Sequence, residues 1–209
     1  MRQRFFELEK VALIVTDMQN DFCANGGYYS RINQSLEPLR KVIPNIQRLV
    51  GAFRKLERPV IYTAAMYEPD GVDLPHNRHK ILPGFAKRGK ALLVARDSWG
   101  AEIIDELKPR RDEYVVKKRR FSAFYNTDLE TILRCRKIET IILTGIVTYI
   151  CVEHIARDAF IRDFDVIVVG DAVAGRDDEL HRSSLKSMGW SCALIATTEG
   201  VIETLNNSE

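Results

Sequence analysis

The stretch Val11-Ala-Leu-Ile-Val-Thr16 consists of apolar side chains up to its last residue, with no polar alternation. Strands that are buried on both faces have this composition, which is typical of a parallel sheet covered by helices. Five further runs of strand length, rich in Val and Ile, lie at residues 59–65, 114–117, 140–144, 165–170 and 193–196. The sequence therefore predicts six strands.

Amphipathic segments separate these runs. After Pro44, apolar side chains recur at intervals of three and four, which predicts a helix. Thr127 and Glu130 have the spacing of a capping box that opens a second helix. A third apolar stripe covers residues 151–161. The fourth stripe, which we expect Gly189 to stop, consists of Leu180, Leu185 and Met188.

Strands and helices in alternation predict an α/β fold with a doubly wound, mainly parallel sheet flanked by helices. A chain of 209 residues suits a single domain over residues 1–209, and it is long enough to bury a core without disulfides. The stretch from Tyr67 to Trp99 is long, irregular and interrupted by Pro and Gly, as binding loops often are.

Charge and cysteine content argue against several classes of function. The net charge is +2, from 31 basic and 29 acidic side chains, which does not indicate nucleic acid or an anionic membrane as the partner. We find no signal peptide and no apolar run long enough to cross a bilayer. The four cysteines show no CxxC pairing, so a zinc ribbon is not expected. We expect a cytoplasmic protein with reduced thiols.

Three reactive residues lie at or near the carboxyl ends of predicted strands. Asp17 follows the first run, Lys118 follows the run 114–117, and Cys151 follows the run 140–144 after a turn. Ligands of open α/β sheets bind beyond the carboxyl ends of the strands. We therefore expect these three side chains to meet at one site.

Cys151 lies where the chain leaves the turn Gly145-Ile-Val-Thr-Tyr-Ile150 and enters a predicted helix. Unpaired N–H groups at a helix start stabilise a thiolate, and they also suit the oxyanion of a tetrahedral intermediate. A cysteine in this position can attack a carbonyl. Free cysteines are also among the most buried residues, so position alone leaves a structural thiol open as well.

Asp17 and Lys118 are the proposed partners of Cys151. A carboxylate at the end of a buried strand is costly unless it has a partner or a task, and Asp17 has the chemistry to accept the thiol proton. A nearby lysine would hold that carboxylate and favour the thiolate. Taken alone, Asp17 also fits a loop cap, for which Asp21 is the better candidate, and Lys118 fits a solvated strand end.

Three segments in order resemble the isochorismatase-like cysteine hydrolases. They are residues 12–22, Lys118-Arg-Arg-Phe-Ser-Ala-Phe124 with Thr127 and Leu129, and Leu143-Thr-Gly-Ile-Val-Thr-Tyr-Ile-Cys-Val152. The resemblance covers residues 11–197, and three motifs in order are far more specific than one. The fold of this family is a doubly wound α/β sheet, in agreement with the pattern of runs.

The resemblance implies a catalytic triad of Asp17, Lys118 and Cys151. Lys118 matches, and Lys117 does not, because the lysine of the family precedes the serine of Ser-Ala-Phe by four positions. The resemblance also implies a cis peptide bond between Ile146 and Val147, with the N–H groups of Val147 and Cys151 facing the oxyanion. It further implies a small-molecule substrate, no cofactor and a homo-oligomer.

The family contains several activities, which the sequence narrows. True isochorismatases lack the cysteine, so Cys151 argues against that activity. Nicotinamidases carry an Asp-x-His metal motif after the second strand, where this chain reads Thr63-Ala-Ala-Met-Tyr67. His76 and His79 follow without a carboxylate, which is a poor metal site, so we expect no metal. Metal-free amidases of carbamoyl or ureido groups remain, with a nicotinamidase-type amidase as the alternative.

The substrate pocket is expected near the turn before Cys151. Phe22, Trp99 and Tyr149 are candidate apolar walls, whereas Tyr125 fits ordinary packing better. Two arginines, Arg78 and Arg96, are candidates to bind a substrate carboxylate, although both also fit a charged surface. Cys23 follows Phe22 and fits a bystander near the pocket, and His154 fits packing or an interface better than a Cys–His pair.

Two rival hypotheses come from other classes of protein. Asp17 after the first strand, with Lys118 and Gly170-Asp171 later in the chain, loosely resembles haloacid-dehalogenase-like phosphatases. Those enzymes need Asp-x-Asp after the strand, whereas Asp17 and Asp21 are four residues apart. A non-catalytic binding protein on the same fold is the second rival, because a fold does not fix a function.

Overall fold

The computed structural model of the protein describes residues 6–75 and 93–207. The strands in these ranges are β1 (Val11–Thr16), β2 (Val60–Ala65), β3 (Tyr114–Lys118), β4 (Thr140–Ile146), β5 (Asp165–Ala174) and β6 (Leu194–Ala196). They form a six-stranded sheet in the order β3-β2-β1-β4-β5-β6, and each neighbouring pair is parallel. The predicted α/β fold is thereby confirmed.

The strand bounds differ from the predicted runs mainly at their carboxyl ends. β3 includes Lys118 as its last residue, and β4 continues two residues further than predicted, through Ile146. β5 continues through Ala174 because its register against β4 shifts between Leu143 and Gly145. Such an irregularity adds residues to one strand that a run of apolar side chains does not reveal.

The longer helices, which cover the sheet, are α1 (Ile43–Lys55), α2 (Leu129–Cys135), α3 (Glu153–Phe160), α4 (Asp178–Ser191) and α5 (Thr198–Asn206). A π-helical turn, Thr148–Val152, leads directly into α3. Short helical segments lie at Leu8–Lys10, Asn20–Cys23, Tyr28–Arg31, Glu37–Arg40, Trp99–Ala101 and Asp105–Leu107. In the described parts of the chain, none of the helices is long and apolar enough to cross a membrane.

Two hydrophobic cores lie on opposite faces of the sheet. In β1, Leu13 and Val15 belong to one core, and Ala12 and Ile14 belong to the other. Helices α1 and α5 contribute to the first core, and helices α2, α3 and α4 contribute to the second. Both faces of β1 are therefore buried, which explains why its sequence shows no polar alternation. Each fully buried Leu or Ile contributes about 1.5–3 kcal/mol to folding.

Two of the predicted helix boundaries are wrong. The capping box does not form: α2 begins after Asp128, which makes no side-chain cap, and the Thr127 hydroxyl accepts the Leu129 N–H at 3.2 Å. Gly189 does not end α4, which continues to Ser191. In that helix Met188 is buried but Leu180 is half-exposed, so the predicted apolar stripe is incomplete.

Gly145 shows why the end of β4 needs a residue without a side chain. Its φ is +99°, and a Cβ there would lie 2.1 Å from the Thr16 carbonyl oxygen. The backbone of β4 thus approaches the end of β1 more closely than any other residue type allows. This close approach brings the segment after β4 next to Asp17.

Candidate active site

Lys118 is fully buried, with 1% of its surface exposed, and lies between two other reactive side chains. Its ammonium group is 2.7 Å from Asp17 Oδ2 and donates to Cys151 Sγ at 3.3 Å. It donates a third hydrogen bond, of 3.2 Å, to the Arg120 carbonyl. An ammonium group has three donor hydrogens, so this environment accounts for all of them. The three residues expected to meet at one site do lie together.

Asp17 is held in place by its backbone as well as by Lys118. The residue directly follows β1 and has φ +53°, a left-handed conformation that Asp tolerates better than most residues. Its Oδ1 accepts the Thr63 hydroxyl at 2.8 Å, while its Oδ2 faces Lys118. Asp17 is therefore no loop cap. That role belongs to Asp21, whose carboxylate accepts the backbone N–H groups of Tyr28 and Val94.

Cys151 lies in the π-helical turn Thr148–Val152, not at the first residue of an α-helix. The Val147 carbonyl accepts the N–H groups of Ile150 at 2.9 Å and of Val152 at 3.3 Å. The Ile146–Val147 peptide bond is cis. π-helical turns are uncommon and are frequent at functional sites. No apolar periodicity distinguishes such a turn from an ordinary helix start, which is why the sequence did not predict it.

The charges at the site set its protonation state. Burial, and then the Asp17 carboxylate, raise the pKa of the Cys151 thiol to about 12, and the Lys118 charge only partly opposes them. Burial disfavours the charge on Lys118, but Asp17 and Cys151 outweigh it and raise the pKa of the ammonium group. At neutral pH the resting site therefore holds a thiol close to the Asp17 carboxylate.

A pocket opens directly onto these three residues and encloses about 560 Å³, including its open mouth. Phe22 lines it, as expected, together with Val147. Aromatic residues Tyr29, Tyr67 and Phe121 and the cation Arg120 also line it and were not anticipated. Arg120 and Phe121 belong to the segment Lys118–Phe124 that the sequence singled out, but nothing in that segment indicated that they face the pocket.

Other anticipated contacts lie elsewhere. Trp99 is half-exposed, and Tyr149 packs its ring against Gly175; neither is among the described residues that line the pocket. Arg96 forms an ion pair with Glu68 and is also outside that lining. His76, Arg78 and His79 lie outside the described residues.

The remaining candidates are not among the described residues that line the pocket. Tyr125 is exposed. His154 contacts the Ile150 carbonyl through Nδ1 and the Phe121 ring in an edge-to-face arrangement, which is the packing role expected for it. Cys23 is buried, and burial raises its thiol pKa to about 12. Asp171 accepts the N–H and hydroxyl groups of Thr198, so it serves a helix start and not a phosphatase site. Over residues 6–75 and 93–207, no three His, Cys, Asp or Glu side chains are grouped to hold a metal.

A family model described as the isochorismatase domain matches residues 11–200. The chain belongs to the isochorismatase family. It is 32% identical to a ureidoacrylate amidohydrolase of Acinetobacter baylyi, over 96% of this chain and 86% of the relative.

Two solved structures extend the likeness of this isochorismatase family member to known hydrolases. A cysteine hydrolase from Pseudomonas syringae pv. phaseolicola superposes with a TM-score of 0.86 at 30% identity, covering 100% of this chain and 97% of that one. An N-carbamoylsarcosine amidase from Thermoplasma acidophilum superposes with a TM-score of 0.70 at 31% identity, covering 91% and 97%.

The charge arrangement predicts the effect of Asp17→Asn on Cys151. The substitution removes a negative charge and a hydrogen-bond acceptor that both hold the proton on the thiol. We therefore expect the pKa of Cys151 to fall by about one to three pH units. The measurement is a titration of thiolate absorbance against pH, from which the same titration of a Cys151→Ala background is subtracted.

Asp21→Asn is the matched control, because it removes a buried carboxylate that caps Tyr28 and Val94 instead of contacting the thiol. It should leave the Cys151 titration unchanged. A Cys151 pKa that stays constant or rises in Asp17→Asn contradicts this account of the site.

Proposed function

We propose that this protein is a metal-independent cysteine hydrolase that cleaves a C–N bond of a small carbamoyl or ureido acid through a thioester intermediate. The observation that supports it most is the contact of one buried ammonium group, Lys118, with both Asp17 and Cys151 at the floor of a pocket. Activated cysteines need a neighbouring base that is itself held in position.

The reaction begins with transfer of the Cys151 proton to Asp17 as the sulfur attacks the carbonyl carbon. Because the resting group is a thiol, proton transfer accompanies attack. Lys118 stays charged and stabilises the developing thiolate. The N–H groups of Val147 and Cys151 donate to the oxyanion, which is where donors lower the barrier most.

Asp17 then returns its proton to the leaving nitrogen, and the C–N bond breaks. An acyl group remains on Cys151 as a thioester. Asp17 is again ionised and takes a proton from an incoming water, whose oxygen attacks the thioester carbon. The C–S bond then breaks, and Asp17 returns the proton to the sulfur, which restores the thiol and the carboxylate. With a ureido substrate the acyl product is a carbamate, which decomposes to ammonia and carbon dioxide.

The relatives support this substrate class by their names. One is a ureidoacrylate amidohydrolase and another an N-carbamoylsarcosine amidase. Each of these substrates carries a carbamoyl group on nitrogen at one end and a carboxylate at the other. A pocket for such a compound needs a cation at a distance from the reacting carbon.

Arg120 supplies that cation in our proposal. Its Nη1 donates to the carbonyl groups of Asp73 and Arg119, which fixes the guanidinium group at the pocket wall. Among the described residues it forms no ion pair with a carboxylate, whereas Arg119 pairs with Asp73 and Glu68. The remaining edge of the Arg120 guanidinium group suits a bidentate contact with a substrate carboxylate.

Three broader expectations are also proposals. A single domain over residues 1–209 and a homo-oligomer are supported by the family resemblance. A cytoplasmic location is supported by the four cysteines, none of which forms a disulfide.

Ammonia release from a panel of ureido acids, carbamoyl acids, primary amides and nicotinamide tests the reaction. We expect release from the ureido or carbamoyl acids that EDTA does not change. In Cys151→Ala the rate should fall by a factor on the order of a thousand or more, because the nucleophile is lost. Cys135→Ala, which removes an exposed thiol, is the control and should behave as the native protein.

Equal activity of Cys151→Ala and native protein would contradict the proposed mechanism. Release from nicotinamide alone, abolished by EDTA, would instead assign a nicotinamidase-type amidase and overturn the proposed substrate class.

Arg120→Gln tests the carboxylate contact. For an acid substrate we expect KM to rise about tenfold to a hundredfold at nearly constant kcat, as follows from loss of a charge-assisted hydrogen bond. The methyl ester or amide of the same acid should show no such rise. Arg96→Gln removes an arginine that is paired with Glu68, and it should leave both substrates unaffected. An equal effect of Arg120→Gln on the charged and the neutral substrate would disprove the contact.

A further inference from the structure

A histidine outside the triad contacts the turn that carries Cys151. His181 Nδ1, on α4, lies 2.9 Å from Thr148 Oγ1. Thr148 is fully buried and is the first residue of the π-helical turn, next to Val147 and three residues before Cys151. A buried hydroxyl group needs a hydrogen-bond partner, and His181 provides it.

The contact belongs to a row of polar side chains along α4. His181, Ser184 and Ser187 follow one another at intervals of three, so they lie on one side of the helix. Ser184 donates to Glu153 at 2.6 Å, and Arg157 donates to Ser187 at 2.8 Å. The segment from the π-helical turn into α3 is thus attached to α4 by directional hydrogen bonds, which fix orientation more narrowly than apolar contacts do.

The turn is also confined from the end of β5. A Cβ at Gly175 would lie 2.4 Å from the Tyr149 ring, so Tyr149 occupies the space above that glycine. Tyr149 therefore has a structural role in fixing the turn. The two residues Thr148 and Tyr149, which precede Cys151 in the turn, are therefore held by separate contacts: Thr148 by His181 and Tyr149 by the backbone at Gly175.

We propose that His181, acting through Thr148, is a positioning residue that holds the N–H groups of Val147 and Cys151 toward the reacting carbonyl. This inference rests on the proposed function, since it concerns the oxyanion of that reaction. Because Thr148 directly follows Val147, a shift of the anchored hydroxyl displaces the neighbouring peptide group. Displacement by about 1 Å costs on the order of a hundredfold in rate.

Burial and the nearby cations favour the neutral ring of His181. Burial, followed by the cations Lys41 and Arg182, lowers its pKa, and Asp178 opposes them. A lowered histidine pKa means that the folded protein favours the neutral ring. The contribution of the neutral ring to the free energy of unfolding is fully present above the unfolded pKa of about 6.5. It is lost as the pH falls through the lower pKa of the folded protein. In the tautomer in which Nδ1 accepts the Thr148 hydroxyl, protonation of the ring removes that acceptor, so acid weakens this anchor.

A double-mutant cycle tests the proposal. Thr148→Val removes the hydroxyl at constant shape, and His181→Leu removes the ring nitrogen. We expect each single variant to lower kcat about tenfold to a hundredfold at unchanged KM, and the double variant to lower it no further. His181→Asn places an amide atom where Nδ1 was, and it should restore most of kcat and abolish the loss of rate in acid that is due to the imidazole. Ser183→Ala, at an exposed position of α4, is the control and should leave kcat unchanged.

Alkylation of Cys151 by iodoacetamide gives a second readout that needs no substrate. Burial is the main reason why this thiol stays protonated. Cys151 is only half-buried and lines the pocket, and a loosened turn exposes its sulfur further. Alkylation should therefore accelerate severalfold in His181→Leu and Thr148→Val, while kcat falls. His181→Asn should alkylate at the native rate. If His181→Leu does not fold, as judged by its thermal unfolding, Thr148→Val and His181→Asn still decide the question.

Additive losses in the cycle, a change confined to KM, or native alkylation rates in both His181→Leu and Thr148→Val would overturn the inference. A native protein that hydrolyses none of the ureido, carbamoyl or amide substrates would refute the proposed function instead. In that case the alkylation rates alone would still decide whether His181 positions the turn.

Discussion

The buried charge of Lys118 constrains the rest of this structure. An ammonium group at the floor of a pocket is tolerated only with close acceptors, and removing one partner of a buried ion pair typically costs about 3–5 kcal/mol. Here the acceptors come from Asp17 after β1, Cys151 after β4 and the chain directly beyond β3. The parallel order of these strands brings their carboxyl ends to one edge, so the sheet serves to assemble three groups that are distant in sequence.

That assembly requires local features that would be unfavourable elsewhere. Asp17 adopts a left-handed conformation, Gly145 permits close approach of two strand ends, and a π-helical turn presents Cys151. Residues outside the pocket hold these features in place: Thr63 fixes the orientation of the carboxylate, and α4 attaches the turn through polar contacts. Reactivity therefore depends on the packing around the site as much as on the reacting atoms.

Much of this was predictable from the sequence. Runs such as Val11–Thr16 are apolar because both faces of the sheet are covered, so pattern alone gave six strands and the α/β fold. The resemblance located Asp17, Lys118 and Cys151, which the structure brings together. The predictions that were wrong depend on three-dimensional context. Gly189 lies within α4 instead of ending it, and Trp99 and Tyr149 lie away from the described pocket wall. The positions of Arg120 in the pocket wall and of His181 beside the turn were not predictable, because a single charged or polar side chain has the same sequence appearance on a surface as in a pocket.

Direct detection of an acyl group on Cys151 tests the central claim, that this cysteine is the nucleophile. The native protein is mixed with a hydrolysed substrate, quenched in acid during turnover, digested and analysed by mass spectrometry. We expect a transient acyl adduct on the peptide that contains Cys151, and none on those containing Cys23, Cys135 or Cys192. Turnover without any adduct on Cys151, in a protein whose Cys151→Ala variant remains active, would contradict it.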